Sequence, residues 1–160
     1  MISEYTIGDS SKILHVINDA SLRYKGIIPD NCWHEPYMSE QELIDEFGDG
    51  VRMFGYHHNG KLVGVIGIQE VKDVILIRHA YTLTSYQNKG AGSALLEYLL
   101  KKNQKSRLLV GTWKNATWAI RFYEKFGFIP HAKEQTTLLL KKYWKINSKQ
   151  IKNSVVLERF

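Results

Sequence analysis

The chain of 160 residues is poor in the features that staple, tether or anchor a protein. It has one cysteine, Cys32, so no internal disulfide and no cysteine-based zinc cluster can form, and a reducing cytoplasm is the expected setting. It has three prolines, Pro29, Pro36 and Pro130, and no Gly/Ser-rich stretch that would divide two domains. Its longest apolar run, Leu62–Ile68, falls short of the ~18 residues of a spanning helix. The N-terminus lacks the basic and apolar blocks of a secretory signal, so none is expected. What is present is ordinary globular composition, 44% hydrophobic and 24% charged, at a length that favours one domain over residues 1–160.

Charge is unevenly spread. Residues 1–84 carry 7 Lys/Arg and 12 Asp/Glu, whereas residues 85–160 carry 15 and 4, within a net charge of +6. The split points to an anionic partner for the second half, or to a solvated lysine-rich surface.

Periodicity predicts a strand over 2–7, a helix over about 11–24 and a loop over 25–38. Ser39 with Glu42 forms a capping box that opens a short helix ending near Gly48 and Gly50. Strands over 51–58 and 61–70 flank Asn59-Gly60, a hairpin signal, and a third strand runs over 74–83. Then follow a glycine-containing loop over 84–92, a helix over 93–102 and a strand over 107–113 placed to complete a βαβ unit. A helix over 115–126 ends at Gly127; a strand over 128–133, a helix over 134–144 and a strand over 154–158 close the chain. This order predicts an α/β (α+β) protein with a mixed, mostly antiparallel sheet and helices on both faces.

The segment Gln87-Asn88-Lys89-Gly90-Ala91-Gly92-Ser93 stands between a strand and a helix. A helix N-terminus offers free N–H groups and partial positive charge to phosphate, and Lys89 adds a full charge. It is neither a Walker loop nor a dinucleotide fingerprint, because Leu95 occupies the third glycine position. Gln-x-x-Gly-x-Gly in this place resembles the pyrophosphate loop of the GCN5-related N-acetyltransferases (GNAT). Trp118-Ala-Ile-Arg-Phe-Tyr-Glu-Lys-Phe-Gly-Phe128 resembles that family's second signature, in the right order and separation. Four positions depart from the pattern. Asn88 replaces the usual glycine, Thr82 and Thr84 replace a Val/Pro pair, and Asn115 lies four residues before Ala119 instead of three.

The resemblance implies a GNAT fold with a splayed pair of parallel strands and an acetyl-coenzyme A-dependent N-acetyltransferase acting on a primary amine by direct attack. It implies backbone contacts to the pantetheine from Tyr81, Thr82 and Leu83, pyrophosphate contacts from Gln87 to Ser93 (with Asn88, Lys89, Gly90, Ala91 and Gly92 between them), and further contacts from Asn115 and Phe122. Tyr123 is the implied general acid for the departing thiolate. Glu70 is the first candidate base and His79 the second, with a hydrogen-bonded sheet histidine as the other reading of His79. Tyr24, Trp33, Glu35 and Tyr37 are candidates for the acceptor side, since aromatics beside a carboxylate suit a cationic amine. The acceptor stays open: a small molecule, or an amine on a peptide, protein or tRNA. A non-catalytic coenzyme A-binding module is the alternative class. No metal and no membrane partner are expected, nucleic acid is disfavoured, and a homodimer is open.

Overall fold

The computed structural model describes residues 1–160. Seven strands form one sheet: β1 (Ile2–Tyr5), β2 (Arg52–His58), β3 (Lys61–Val71), β4 (Val74–Thr82), β5 (Leu108–Trp113), β6 (Ile129–Pro130) and β7 (Ser154–Arg159). Their order across the sheet is β1-β2-β3-β4-β5-β7-β6, antiparallel throughout except for β4 beside β5. The helices are α1 (Ser10–Ala20), α2 (Glu40–Gly48), α3 (Ala91–Lys102), α4 (Thr117–Glu124), α5 (Lys133–Tyr143) and α6 (Ser148–Lys152). The mixed, mostly antiparallel sheet with one parallel pair is the architecture expected from the element order. No helix is long and apolar enough to cross a membrane.

Local chemistry sets the boundaries. Ser39 Oγ accepts the Glu42 N–H at 3.1 Å while Glu42 Oε1 accepts the Ser39 N–H at 3.4 Å, which caps α2. Asn59 (φ 51°) and Gly60 (φ 77°) supply the two left-handed residues of a tight hairpin between β2 and β3. The helix expected over 11–24 ends at Ala20 and continues as a 3₁₀ turn over Ser21–Tyr24. The strand expected over 128–133 shrinks to Ile129–Pro130, because Pro130 has no N–H to extend a ladder. The short α6 carries no long apolar period and was not anticipated.

Each face of the sheet has its own core. Leu95, Leu96 and Leu99 of α3 pack with Tyr123 and Phe128 on one face, against Ile66, Ile77 and Val110. On the other face, α1 and α2 lay Ile13, Ile17 and Leu43 on Val63 and Val65, and α5 sets Leu139 and Leu140 on Leu76 and Leu109. Side chains of this kind contribute ~1.5–3 kcal/mol each when fully buried.

Candidate active site

The site begins where the sheet opens. β4 and β5 pair only at Ile75/Leu108, Leu76/Leu109 and Ile77/Val110. β5 then stays with β7 as far as Trp113/Ser154, while β4 stays with β3 as far as Thr82/Gly64. The inner edges beyond Ile77 and Val110 therefore have no partner strand. β4 also carries a bulge: Gly67 faces Arg78 and Val65 faces Tyr81, so Ile66 alone opposes both His79 and Ala80. His79 absorbs the extra residue with φ 54°. The bulge reverses the alternation, so Tyr81 lies on the α1 side although Ile77 lies on the α3 side.

One expected contact is lost here. The Leu83 N–H donates to the Val63 carbonyl at 2.9 Å and is not free to meet a ligand. Alternation along the β3/β4 ladder turns the Thr82 N–H to the open side instead.

The loop between β4 and α3 is held from three directions. Asp19 at the end of α1 accepts the Thr84 N–H at 2.8 Å. Gln87 Nε2 donates to the Thr82 carbonyl at 3.3 Å, and Arg23 Nη1 donates to Gln87 Oε1 at 3.3 Å. Asn88 (φ 62°) and Gly90 (φ 90°) are left-handed; asparagine tolerates that region, so its substitution for glycine preserves the turn. No backbone N–H from Gln87 through Ser93 has an acceptor within the protein. A Cβ on Gly90 would meet nothing within 4 Å, so the loop leaves room for a group beside it. Unpaired amides, a helix dipole and Lys89 together fit a pyrophosphate. Arg121 of α4 and Lys125 just after it line the same cleft and were missed, because their spacing is that of any solvated helix face.

The cleft has a volume of about 940 Å³. Tyr123 is 5% exposed, with its ring against Phe122 and Phe128. Its hydroxyl has no hydrogen-bond partner in the protein, yet no fully buried polar side-chain atom is left unpaired. The hydroxyl therefore reaches the cleft. Burial, reinforced by Tyr24, raises its pKa well above the ordinary phenol value, so it stays protonated.

Across the opening, Tyr24 packs on Tyr37 at 6.0 Å and on Trp118 at 5.5 Å between ring centroids, and Tyr37 approaches Tyr81 at 6.4 Å. Burial, and then Tyr37, pushes Tyr24 up to about 12; burial likewise raises Tyr37 and Tyr81. The Arg23 guanidinium lies 4.2 Å from the Trp118 ring centroid and ties the end of α1 to α4.

The structure brings Tyr24, Tyr37, His79, Tyr81, Thr82, Phe122, Tyr123 and the loop residues Gln87, Asn88, Gly90, Ala91, Gly92 and Ser93 to this one cleft. Six expected residues are absent from its lining. Leu83 is buried with its N–H committed to Val63, and Lys89 is exposed with Nζ 5.3 Å from the Tyr86 ring centroid. Glu70 is exposed at the closed end of the strand pair, opposite Ile75. Glu35 is exposed and pairs with Lys25 at 3.2 Å. Trp33 packs against Tyr37 at 5.6 Å without lining the cleft, and Asn115 is exposed in the turn before α4. The carboxylates that do line it are Glu42 and Glu46 of α2, and Trp144, Ile146 and Gln150 form the opposing wall. Apart from Glu42 of the capping box, none of these carries a local motif, and no local motif marks any of them as lining a cleft.

The chain matches the acetyltransferase (GNAT) domain family over residues 17–138. Among solved structures, a PaiA N-acetyltransferase from Thermoplasma acidophilum in complex with coenzyme A superposes with a TM-score of 0.72. It covers 99% of this chain and 97% of that chain at 19% identity. The ribosomal-protein-S18-alanine N-acetyltransferase from Escherichia coli gives a TM-score of 0.70, covering 99% of this chain and 91% of that chain at 20% identity. UPF0157 protein YqkA of Bacillus subtilis (strain 168) is 33% identical over 90 residues, or 56% of this chain. The chain spans about a quarter of that curated relative's length, 26%.

Proposed function

The chain belongs to the acetyltransferase (GNAT) domain family, and from that premise we propose that residues 1–160 form one cytoplasmic domain that moves an acetyl group from acetyl-coenzyme A to a primary amine. The observation that carries this reading is the run of unpaired amides from Gln87 to Ser93 beside an opened strand pair. Loop amides and Lys89 hold the pyrophosphate, with Arg121 and Lys125 nearby, and the free edge of β4 at Tyr81 and Thr82 takes the pantetheine as a strand would. Bound there, the coenzyme supplies an activated acyl group as a thioester.

The chain's own residues then divide the work. The Thr82 N–H faces the opening, where an oxygen gaining negative charge would lie; a fixed donor of this kind is worth ~2.7–4 kcal/mol. Tyr123 keeps its proton and gives it to the departing sulfur. His79 accepts the proton that the amine sheds as it attacks. The aromatic wall of Tyr24, Tyr37 and Tyr81 orients the amine while it is still cationic, before it gives its extra proton to water.

The test is a screen of primary amines for coenzyme A release, preceded by thermal melts with acetyl-coenzyme A. We expect the coenzyme to raise Tm and a subset of amines to release thiol. No shift in Tm at saturating coenzyme overturns the donor-site reading; a shift without turnover on any amine favours the binding-module alternative.

A further inference from the structure

The cleft contains one charged cluster whose members lie far apart in sequence. Glu46 of α2 accepts a hydrogen bond from Arg78 Nη2 at 3.0 Å, and its other oxygen lies 3.0 Å from His79 Nε2. Arg78 Nη1 donates to Gln69 Oε1 at 2.9 Å, which fixes the guanidinium. Glu46, Arg78 and His79 all line the cleft. An ionised carboxylate only accepts, so the neutral imidazole facing it carries its proton on Nε2. His79 Nδ1 has no partner in the protein, and no fully buried polar side-chain atom is unpaired, so Nδ1 opens to the cleft.

The backbone singles out the same residue. His79 holds a left-handed φ inside a strand, a conformation that costs energy for any side chain but glycine. Strain of this kind persists where surrounding contacts enforce it. Here α2 supplies the contact.

We propose that Glu46 is a positioning residue that holds His79 with Nδ1 free, as the acceptor of the amine proton. This rests on the acetyltransferase reading above and adds the part played by α2. In the step, the amine has first given its extra proton to water; the lone pair of the neutral amine forms the new C–N bond, an N–H bond breaks with its electron pair left on nitrogen, and that proton passes to Nδ1. The C–S bond breaks and sulfur takes the Tyr123 proton. The imidazolium that forms is held by the Glu46 carboxylate. It then releases its proton to water, and water reprotonates Tyr123. Burial works to raise the Glu46 pKa, but the hydrogen bond and charge of His79 and the charge of Arg78 outweigh it and hold the carboxyl below its ordinary value. The other titratable groups that line the cleft are Glu42 of α2, Cys32, His34 and Tyr37 of the loop before it, Arg23 and Tyr24 after α1, Tyr81 of β4, Tyr86 after β4, Arg121 and Tyr123 of α4, Lys125 just after it, and Lys145 beyond α5.

The test reads the imidazole directly. Protein labelled with ¹⁵N-histidine is read by NMR without ligand at alkaline pH, as wild type, E46Q and E46A. We expect the neutral His79 ring to carry its proton on Nε2 in wild type and in E46Q, whose amide oxygen can still accept it. E46A should lose that tautomer preference. With an amine found by the screen, E46Q should lower kcat about tenfold or more with little change in the KM for acetyl-coenzyme A, and E46D should recover part of it. H79N, chosen because asparagine tolerates the left-handed backbone, should lose the acid limb of the kcat/KM profile. An unchanged tautomer in E46A overturns the positioning role. Full turnover with an unchanged profile in H79N overturns His79 as the base, and with it the catalytic use of the pair. Both outcomes leave the donor-site reading intact, since that stands or falls on the coenzyme-dependent rise in Tm.

Discussion

Replacing Tyr123 with phenylalanine separates catalysis from folding. The ring packs between Phe122 and Phe128, with centroid distances of 5.2 and 5.6 Å, and phenylalanine keeps those contacts. The hydroxyl makes no hydrogen bond within the protein, so its removal leaves no buried partner unsatisfied. Stability should therefore hold, with Tm shifting by no more than about 2 °C, since roughly 2–4 °C corresponds to 1 kcal/mol at this size. Turnover should not hold. A positioned general acid contributes ~10²–10⁴-fold, so kcat at pH 7 should fall at least 100-fold, about 2.7 kcal/mol in the barrier. Because burial raises the Tyr123 pKa well above the ordinary phenol value, wild-type activity should show no alkaline loss from this group up to about pH 10. The assay is thiol release against pH, beside calorimetric binding of coenzyme A. Turnover within twofold of wild type refutes the acid role. A fall in coenzyme affinity as large as the fall in turnover means that the ring, and not the proton, does the work.

Gly90→Glu should abolish the thermal shift produced by acetyl-coenzyme A, because it sets a carboxylate beside the free amides and strains a left-handed residue; an equal shift in both proteins removes the loop from the binding site. Gly67→Ala should cost about 1–3 kcal/mol by calorimetry. Its Cβ would come within 2.8 Å of Met53 Sδ and 3.1 Å of the Arg78 carbonyl, opposite the bulge. Glu158, 4% exposed, receives Arg107 Nε at 2.5 Å and faces His131 Nε2 at 2.7 Å. Burial would raise its pKa, but these partners hold it below the ordinary 4.5, so the folded state binds fewer protons than the unfolded one. Its contribution is complete above that ordinary value and fades as pH falls through the lower folded value. Glu158→Gln should cost about 3 kcal/mol at pH 7, roughly 6–12 °C in Tm, with the gap from wild type narrowing below about pH 4.

The legible parts of the fold were those written in adjacent residues. Ser39 with Glu42, Asn59-Gly60, and Gly127 behind Phe126 each carry their structure within a few positions, and the two glycine- and tyrosine-bearing motifs marked residues that the fold brings to one cleft. The acceptor half was not local. Placing a base required knowing which end of β3 meets the opening, and Glu70 lies at the other end. A single extra residue at His79 decides which face Tyr81 occupies, and no composition signal marks a bulge. Glu46 meets His79 across 33 positions of sequence, through the docking of α2 on the sheet, and so left no trace in spacing. Glu35, beside aromatics in sequence, was the more visible carboxylate, and it turned to the surface.

The short parallel pairing has a mechanical meaning. With three ladder positions joining β4 to β5, the seven strands form two leaves, β1–β4 and β5–β7–β6, hinged along Ile75–Ile77. The strands of the acidic and basic halves of the sequence also divide between these leaves, since residue 84 follows β4, while α3 of the basic half packs back on β3 and β2. A ligand hydrogen-bonded along the free edge of β4 and gripped by α3 and α4 acts as a seam that closes the book. Its binding should then slow amide exchange even at the β6–β7 rim, which it never touches, because the two leaves would open as one body.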